Sequence, residues 1–515
     1  MSNNETIENN KRIAKNTILL YFRMILLMFI GLYTSRIILD VLGFSDYGLY
    51  NVVGGVVTIF AFLNGTLSTS TQRFLNIEIG RNNVLQAKKV FSTAMLQHLL
   101  LAFIIVIVAE TVGLWFVMHE LNIPSDRYIA ALYVYQFSII AICVQILQLP
   151  YMSALIAHEN MKSYAYVSLY EAIARLTIVY ILTISSYDKL ILYGALYLIV
   201  QFSVAFFYIT LARRKYEECS VRPTYNNVIF NNMLNFSGWN VIGCLATTVN
   251  NQGVNVVLNM FFGTTVNAAR AIAYQVNGIV NQFVSNFLLA TKPQVVNYYT
   301  SGNNAEMIKL CLSTAKFSGF LLIIIIVPLS VEMETVLKLW LVEYPVYTPV
   351  FLRLILFQSL LIAMANNVVT VVHATGKLKE VGLIAGSLQL LVLPVSYILF
   401  KLGLPPETAF LVAIMGTLCE TLVEVYWMNY YIQYPIGKFY KTVYFPVIIV
   451  FICSMILAFT CHSLLMNLEP LLRFLLVLIF STFISLGLIW HWGLDVAMKS
   501  FIITKIKESV LKRVP

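Results

Sequence analysis

Charge is what this sequence is shortest of. Only 11% of its 515 residues are Asp, Glu, Lys or Arg, where a soluble globular chain carries about a quarter. Long connections are missing too: the longest, around Arg213 to Asn232, holds about twenty residues, too few for a domain with its own core. That excludes a fused nucleotide-binding motor or a soluble catalytic domain, and no G-x-x-x-x-G-K-[ST] phosphate loop occurs. Cysteine pairing is absent as well. Cys143, Cys219, Cys244, Cys311, Cys419, Cys453 and Cys461 are odd in number and scattered, with no C-x-x-C, so neither a disulfide framework nor a zinc site is expected. His98, His119, His158, His373, His462 and His491 form no metal-ligating spacing, and no paired-carboxylate or Ser-His-Asp arrangement can be assembled. The expectation is of no enzyme and no cofactor.

What the chain does hold is apolar sequence: 59% hydrophobic residues and a mean hydropathy of +0.79. Its recurrent runs are each long enough to cross a hydrocarbon core of about 30 Å. Backbone groups in that core must be satisfied internally, so the runs are helices and the fold class is an all-α integral membrane protein. Lys11, Arg12 and Lys15 precede an apolar stretch too long for a signal peptide and followed by no cleavage site, so a retained first helix is expected. Spans are expected near 17–39, 47–67, 91–117, 128–149, 163–184, 190–211, 233–259, 268–290, 312–330, 350–371, 381–400, 408–431, 443–466 and 472–491, about 14 transmembrane helices in all. With the N-terminus inside, 24 of the 34 Lys and Arg fall on the cytoplasmic side, 8 on the other, and Arg23 and Arg175 within spans. This bias puts both termini in the cytoplasm. The net charge of +10 is therefore topological, and nucleic acid is not an expected partner.

The chain repeats itself. Leu42-Gly43-Phe44-Ser45-Asp46-Tyr47-Gly48 aligns with Phe262-Gly263-Thr264-Thr265-Val266-Asn267-Ala268 at an offset of 220, which also sets Asn83 opposite Asn303. Two six-helix bundles in parallel orientation follow, a known transporter plan: residues 1–215 and 216–435, with 436–515 adding two helices and a basic tail. The first corner is expected to turn at Gly43 and Gly48, with Asp46 as a cap for the second helix.

Charge inside a span costs about 2.5–3.5 kcal/mol on insertion scales, so each such residue needs a reason. Arg23 either snorkels to the inner headgroups or meets an anionic substrate in a cavity. Arg36 has Asp40 one turn away as a partner. Glu171 and Arg175 stand at i, i+4 and can neutralise each other, or serve ion coupling. Glu420 and Glu424 share a face with no local cation, so proton binding competes with snorkelling there. Arg270 sits near the end of its span, where a headgroup contact is the simple reading. The seventh and eighth spans carry amide stripes: Asn240, Asn251, Asn255 and Asn259 on one, Tyr274, Asn277 and Asn281 on the other. Amides glue membrane helices together, and they also match sugar hydroxyls in a wet cavity.

"SRIILDVLGFSDYGLYNVVGGVVTIF", with "GTLSTSTQRFLNIEIGR" after it, resembles the N-terminal signature of Wzx-type oligosaccharide flippases. These are the polysaccharide-transporter branch of the MOP superfamily, which also holds MATE exporters and lipid II flippases. The matching residues are Arg36, Leu42-Gly43 and Asp46-Tyr47-Gly48. The resemblance implies a MATE-like V of two bundles working by alternating access in the bacterial cytoplasmic (inner) membrane. It implies a substrate of the undecaprenyl-diphosphate-linked oligosaccharide class, moved to the periplasmic leaflet for O-antigen, lipopolysaccharide or capsule assembly. Membrane lipids and other polysaccharide-assembly proteins are the implied partners. Helices one, two, seven and eight would line the cavity, with Arg23 toward the diphosphate, the amides toward sugars, and Arg270 among the substrate-binding residues. The alternative is a MATE-type cation-coupled multidrug exporter, with Glu420, Glu424 or Glu171 at the ion site.

Overall fold

The structure, a computed structural model, describes residues 3–58, 62–158, 160–220, 224–341, 343–375, 378–494 and 499. Within the helices, the side chains of 3–24, 58, 62–66, 69, 236–247, 286, 289–294, 296–297, 300, 367, 369–370, 372–375, 378–383 and 385 lie outside that description.

Helices make up the described chain, as expected: α1 (Asn3–Thr58), α2 (Phe62–Gly80), α3 (Val84–Val108), α4 (Leu114–His119), α5 (Tyr128–Ala157), α6 (Met161–Ile184) and α7 (Lys189–Lys215). There follow α8 (Asn227–Phe262), α9 (Thr264–Thr300), α10 (Asn304–Val331), α11 (Met333–Leu341), α12 (Thr348–Thr375), α13 (Leu378–Lys401) and α14 (Thr408–Ile432). The short α15 (Ile436–Phe439) leads to the hairpin α16 (Phe445–Leu464) and α17 (Pro470–Leu488). Ten stretches among the described residues are long and apolar enough to cross a membrane. The first two expected spans form one such stretch, Ile25–Val57, kinked at Gly43. Among the described residues, α13 holds a shorter apolar stretch, Gly386–Lys401.

The repeat is visible in the backbone. Gly43 (φ 73°, ψ 172°) and Gly263 (φ 79°, ψ −174°) break their helices in the same conformation, one essentially reserved for glycine. Thirty-nine residues on, Asn82 and Gly302 both adopt positive φ. The next residues, Asn83 and Asn303, both cap the following helix, accepting from the Gln86 and Glu306 amides. The third long helix starts at Val84 in one repeat and Asn304 in the other.

The chain forms two compact units. The first comprises residues 1–271 with 396–406, the second 272–395 with 407–515. In the first, α5 is central, packing on α1, α2, α3 and α7. Phe91, Tyr151, Leu155 and Leu182 form its buried core, and Gly194 lets α7 approach Phe137 and Val134 on α5. In the second, α10 is central, with α12, α16 and α17 around it. Gly319 faces Val447 there, and Phe351 packs on Phe410 with ring centroids 4.4 Å apart.

The opening corner differs from expectation in its chemistry. Asp46 gives both carboxylate oxygens to Arg127, whose Nε lies 2.8 Å from Oδ1 and whose Nη2 meets Oδ2. Arg127 also donates to Asp188 at 2.6 Å, the residue that caps α7. A guanidinium thus ties the start of the second span to the start of the sixth. Gly48 is required by proximity: a Cβ there would run into the Thr264 carbonyl oxygen.

Candidate functional site

Polar groups inside membrane-spanning helices are the candidates, because each must be satisfied or used. Arg23 and Asn240 lie on α1 and α8, but their side chains fall outside the described residues.

The α8 amides of the first unit are drawn into packing. Asn267 Nδ2 donates to the Asn255 backbone oxygen at 2.6 Å and to Asn255 Oδ1 at 2.8 Å, while Asn255 Nδ2 reaches the Asn51 carbonyl at 3.3 Å. Asn259, fully buried, accepts from the Asn122 amide at 2.8 Å. Arg270 is buried at 6% exposure and donates to the Asn251 carbonyl at 2.8 Å. Asn251 itself is exposed. Asn255, Asn259 and Asn267 therefore act as interhelical glue.

The α9 stripe in the second unit is more open. Asn281 donates to Asn277 Oδ1 at 3.1 Å and to Ser359 Oγ at 3.2 Å, and Ser359 donates to Asn277 Oδ1 at 2.5 Å. Tyr274 and these two asparagines are half-buried, with Gly278, Gln282 and Ser285 exposed beside them. Among the described residues this face offers hydrogen-bonding groups without a cation.

Two carboxylate sites remain. In the first unit Glu171 and Arg175 form the i, i+4 pair at 2.5 Å, beside the rings of Tyr50, Tyr193 and Tyr197. In the second, Glu420 accepts from Gln389 at 2.8 Å, and Glu424, one turn on, is 6% exposed. No ion pair joins Arg36 to Asp40 among the described residues.

Sequence reasoning missed a buried cluster at the end of α10. Glu332, 1% exposed, accepts from Thr335 at 2.6 Å and from Arg473 Nε at 3.1 Å, and meets His462 Nδ1 at 2.6 Å. Burial raises the Glu332 pKa, but the hydrogen bonds from Thr335 and His462 and the charges of His462 and Arg473 outweigh it and hold the carboxyl below its ordinary value. A lone Glu after an apolar run was the only signal.

No family model and no curated protein matches the chain. Solved structures do. The lipid II flippase MurJ in an inward closed conformation superposes with a TM-score of 0.67 at 14% identity, over 93% of this chain and 99% of that one. An inward-facing multidrug resistance MATE family transporter of the MOP superfamily superposes with a TM-score of 0.67 at 14% identity, over 80% of this chain and 96% of that one. The chain therefore has the fold shared by these MOP-superfamily transporters and the flippase.

Proposed function

We propose that this protein is a flippase that moves undecaprenyl-diphosphate-linked oligosaccharide from the cytoplasmic to the periplasmic leaflet by alternating access, for surface polysaccharide or O-antigen assembly. The observation that carries this reading is coverage. The MATE transporter is almost used up, at 96% of its length, when 80% of this chain has been matched, whereas the lipid II flippase matches 93%. The extra length favours a flippase over a drug exporter. The inner-membrane setting, the cytoplasmic termini and the division at 215 and 435 belong to the same reading.

In this account the open amides, Asn251, Asn277 and Asn281 with Tyr274, contact sugar hydroxyls, Arg23 lines the diphosphate's path, and the buried Arg270 steadies the Asn251 backbone that it bonds. Asn255, already committed to Asn267, positions α8. Ion coupling falls to Glu420 and Glu424, which have no cation beside them among the described residues. A bound proton or cation would relieve their like charges.

The test is the leaflet distribution of lipid-linked sugars in cells with and without the gene. Loss of the gene should trap undecaprenyl-diphosphate oligosaccharide facing the cytoplasm, and the wild-type gene should release it. Unchanged lipid intermediates with altered drug sensitivity would sink the flippase reading and favour the exporter. Glu420→Gln with Glu424→Gln should leave binding intact while removing the dependence of transport on an ion gradient.

A further inference from the structure

The first unit holds an arginine with donors to spare in the middle of a membrane span. Arg175 gives Nη2 to Glu171 Oε1 at 2.5 Å and to the Tyr197 hydroxyl at 3.4 Å. Among the described residues, its Nε and Nη1 make no hydrogen bond, and 44% of the side chain is exposed. The residue lies nine positions from the C-terminal end of α6, about 13 Å along the axis, too deep for a headgroup contact to explain that exposure.

The exposure does not face lipid. Tyr166, Tyr170, Ile173, Tyr180 and Ile184 form an exposed, largely apolar row along α6. At about 100° per residue, Arg175 points about 200° away from Ile173, and Glu171 lies beside it on the same opposite face. A guanidinium exposed on the protein side of a membrane helix faces water. Three phenols frame it. The guanidinium carbon lies 5.1 Å from the Tyr197 ring centroid, Tyr193 packs edge-on to Tyr50 at 4.7 Å, and Tyr50 is 6.5 Å from Tyr197.

We propose that Arg175 is the seat of a phosphate or diphosphate group of the substrate, with Glu171 as an internal counter-ion that this group displaces and the Tyr50, Tyr193 and Tyr197 phenols bordering the anion. The proposal rests on the flippase reading for its ligand. A bare arginine at this depth is costly, so the empty site keeps it paired. The free edge formed by Nε and Nη1 is the fork that takes two phosphate oxygens in parallel. A diphosphate carries more charge than one carboxylate and outcompetes it. Glu171, 26% exposed, has water to turn into. The exchange thereby brings in an anion without ever leaving the Arg175 guanidinium unpaired in the bilayer.

The experiment is binding to the purified full-length protein in nanodiscs, with undecaprenyl diphosphate as ligand and inorganic pyrophosphate as competitor, in zwitterionic and in anionic phospholipid. Glu171→Gln should tighten binding about tenfold, and Arg175→Lys, which keeps the charge but loses the fork, should weaken it at least about tenfold. The double variant E171Q/R175Q strands no charge, so it tests the loss of binding without risking the fold. Wild-type affinity in R175K and in the double variant overturns the inference while leaving flipping intact. Weaker binding in E171Q overturns the counter-ion role. Equal competition by anionic phospholipid makes this a headgroup site and overturns it as a substrate seat. Arg175-dependent binding of pyrophosphate alone upholds the anion site while the substrate reading falls.

Discussion

The third long helix of each repeat ends on a glutamate, and the two glutamates live in opposite surroundings. Glu120 closes the first, running from Val84 to His119, and is exposed. Glu332 closes the second, Asn304–Val331, and is buried. The first helix is 36 residues long, with a π-helical turn at Ala109–Gly113, and the second is 28. What separates the two ends is the C-terminal hairpin. His462 near the end of α16 and Arg473 in the first turn of α17 both converge on Glu332, and only the second repeat has such a hairpin beside it. Two copies of one plan thus diverge where added helices dock, through a carboxylate that the shorter helix leaves in reach.

The largest effect follows from breaking that difference. Glu332→Ala takes the carboxylate from Arg473, which is half-buried and keeps its bond to Thr335, and should cost about 3 kcal/mol, the low end for a broken buried pair, whereas Glu120→Ala should stay within about 0.5 kcal/mol. Thermal unfolding in detergent compares the two, and limited proteolysis reads release of the α16–α17 hairpin. The same contrast can be drawn with acid. The folded Glu332 carboxyl has a pKa below its ordinary 4.5, so its stabilisation is complete above about that pH and is lost as the pH falls through the lower folded value. Acid should therefore loosen the hairpin in the wild type, and that component should vanish in Glu332→Ala.

A second contrast lies at the opening corner. Gly48 has Ala268 as its counterpart 220 residues on. A methyl on Gly48 would meet the Thr264 carbonyl, while Ala268 is fully buried and accommodated. Gly48→Ala should cost about 1–3 kcal/mol through overpacking. Ala268→Gly should cost about 1.5–2 kcal/mol, through lost helix propensity and one lost methyl. Chemical unfolding of both variants ranks them, and equal losses would mean that the two corners are packed alike.

How much of this could be read from sequence depends on the range of the interaction. Hydropathy marks lipid contact, so the helical membrane class was legible throughout. Helix ends were not, because helices outrun the bilayer: the third span reads as starting at 91, but α3 begins at Val84, including Lys88 and Lys89 that lower the hydropathy. Gly43 and Gly263 betrayed the repeat because a positive φ restricts which residue can stand there. Asp46 invited a local reading as a cap, but its partner Arg127 is 81 residues away. Glu332 was overlooked because His462 and Arg473 lie 130 and 141 residues further on. The amide stripes were legible as stripes, yet only packing separates Asn255, held by Asn267, from the exposed Asn251.

The smallest effect tests where the repeats agree. Asn83 and Asn303 both cap their helices, accepting from the backbone amide three residues on at 3.1 and 3.3 Å. Either residue replaced by Ala should cost about 1 kcal/mol, the ordinary worth of such a cap. The sites are not quite equal, since Asn303 has Glu306 at the third helical position, where a carboxylate favours the positive end of the helix dipole. That charge stays in place when the cap is removed, so Asn303→Ala should lose slightly less than Asn83→Ala. Adding Gln86→Glu to Asn83→Ala should then bring the first repeat to the level of the second. Hydrogen exchange of the first-turn amides of α3 and α10 resolves differences of this size, and a larger loss at Asn303 would mean that the shared corner bears unequal loads in the two repeats.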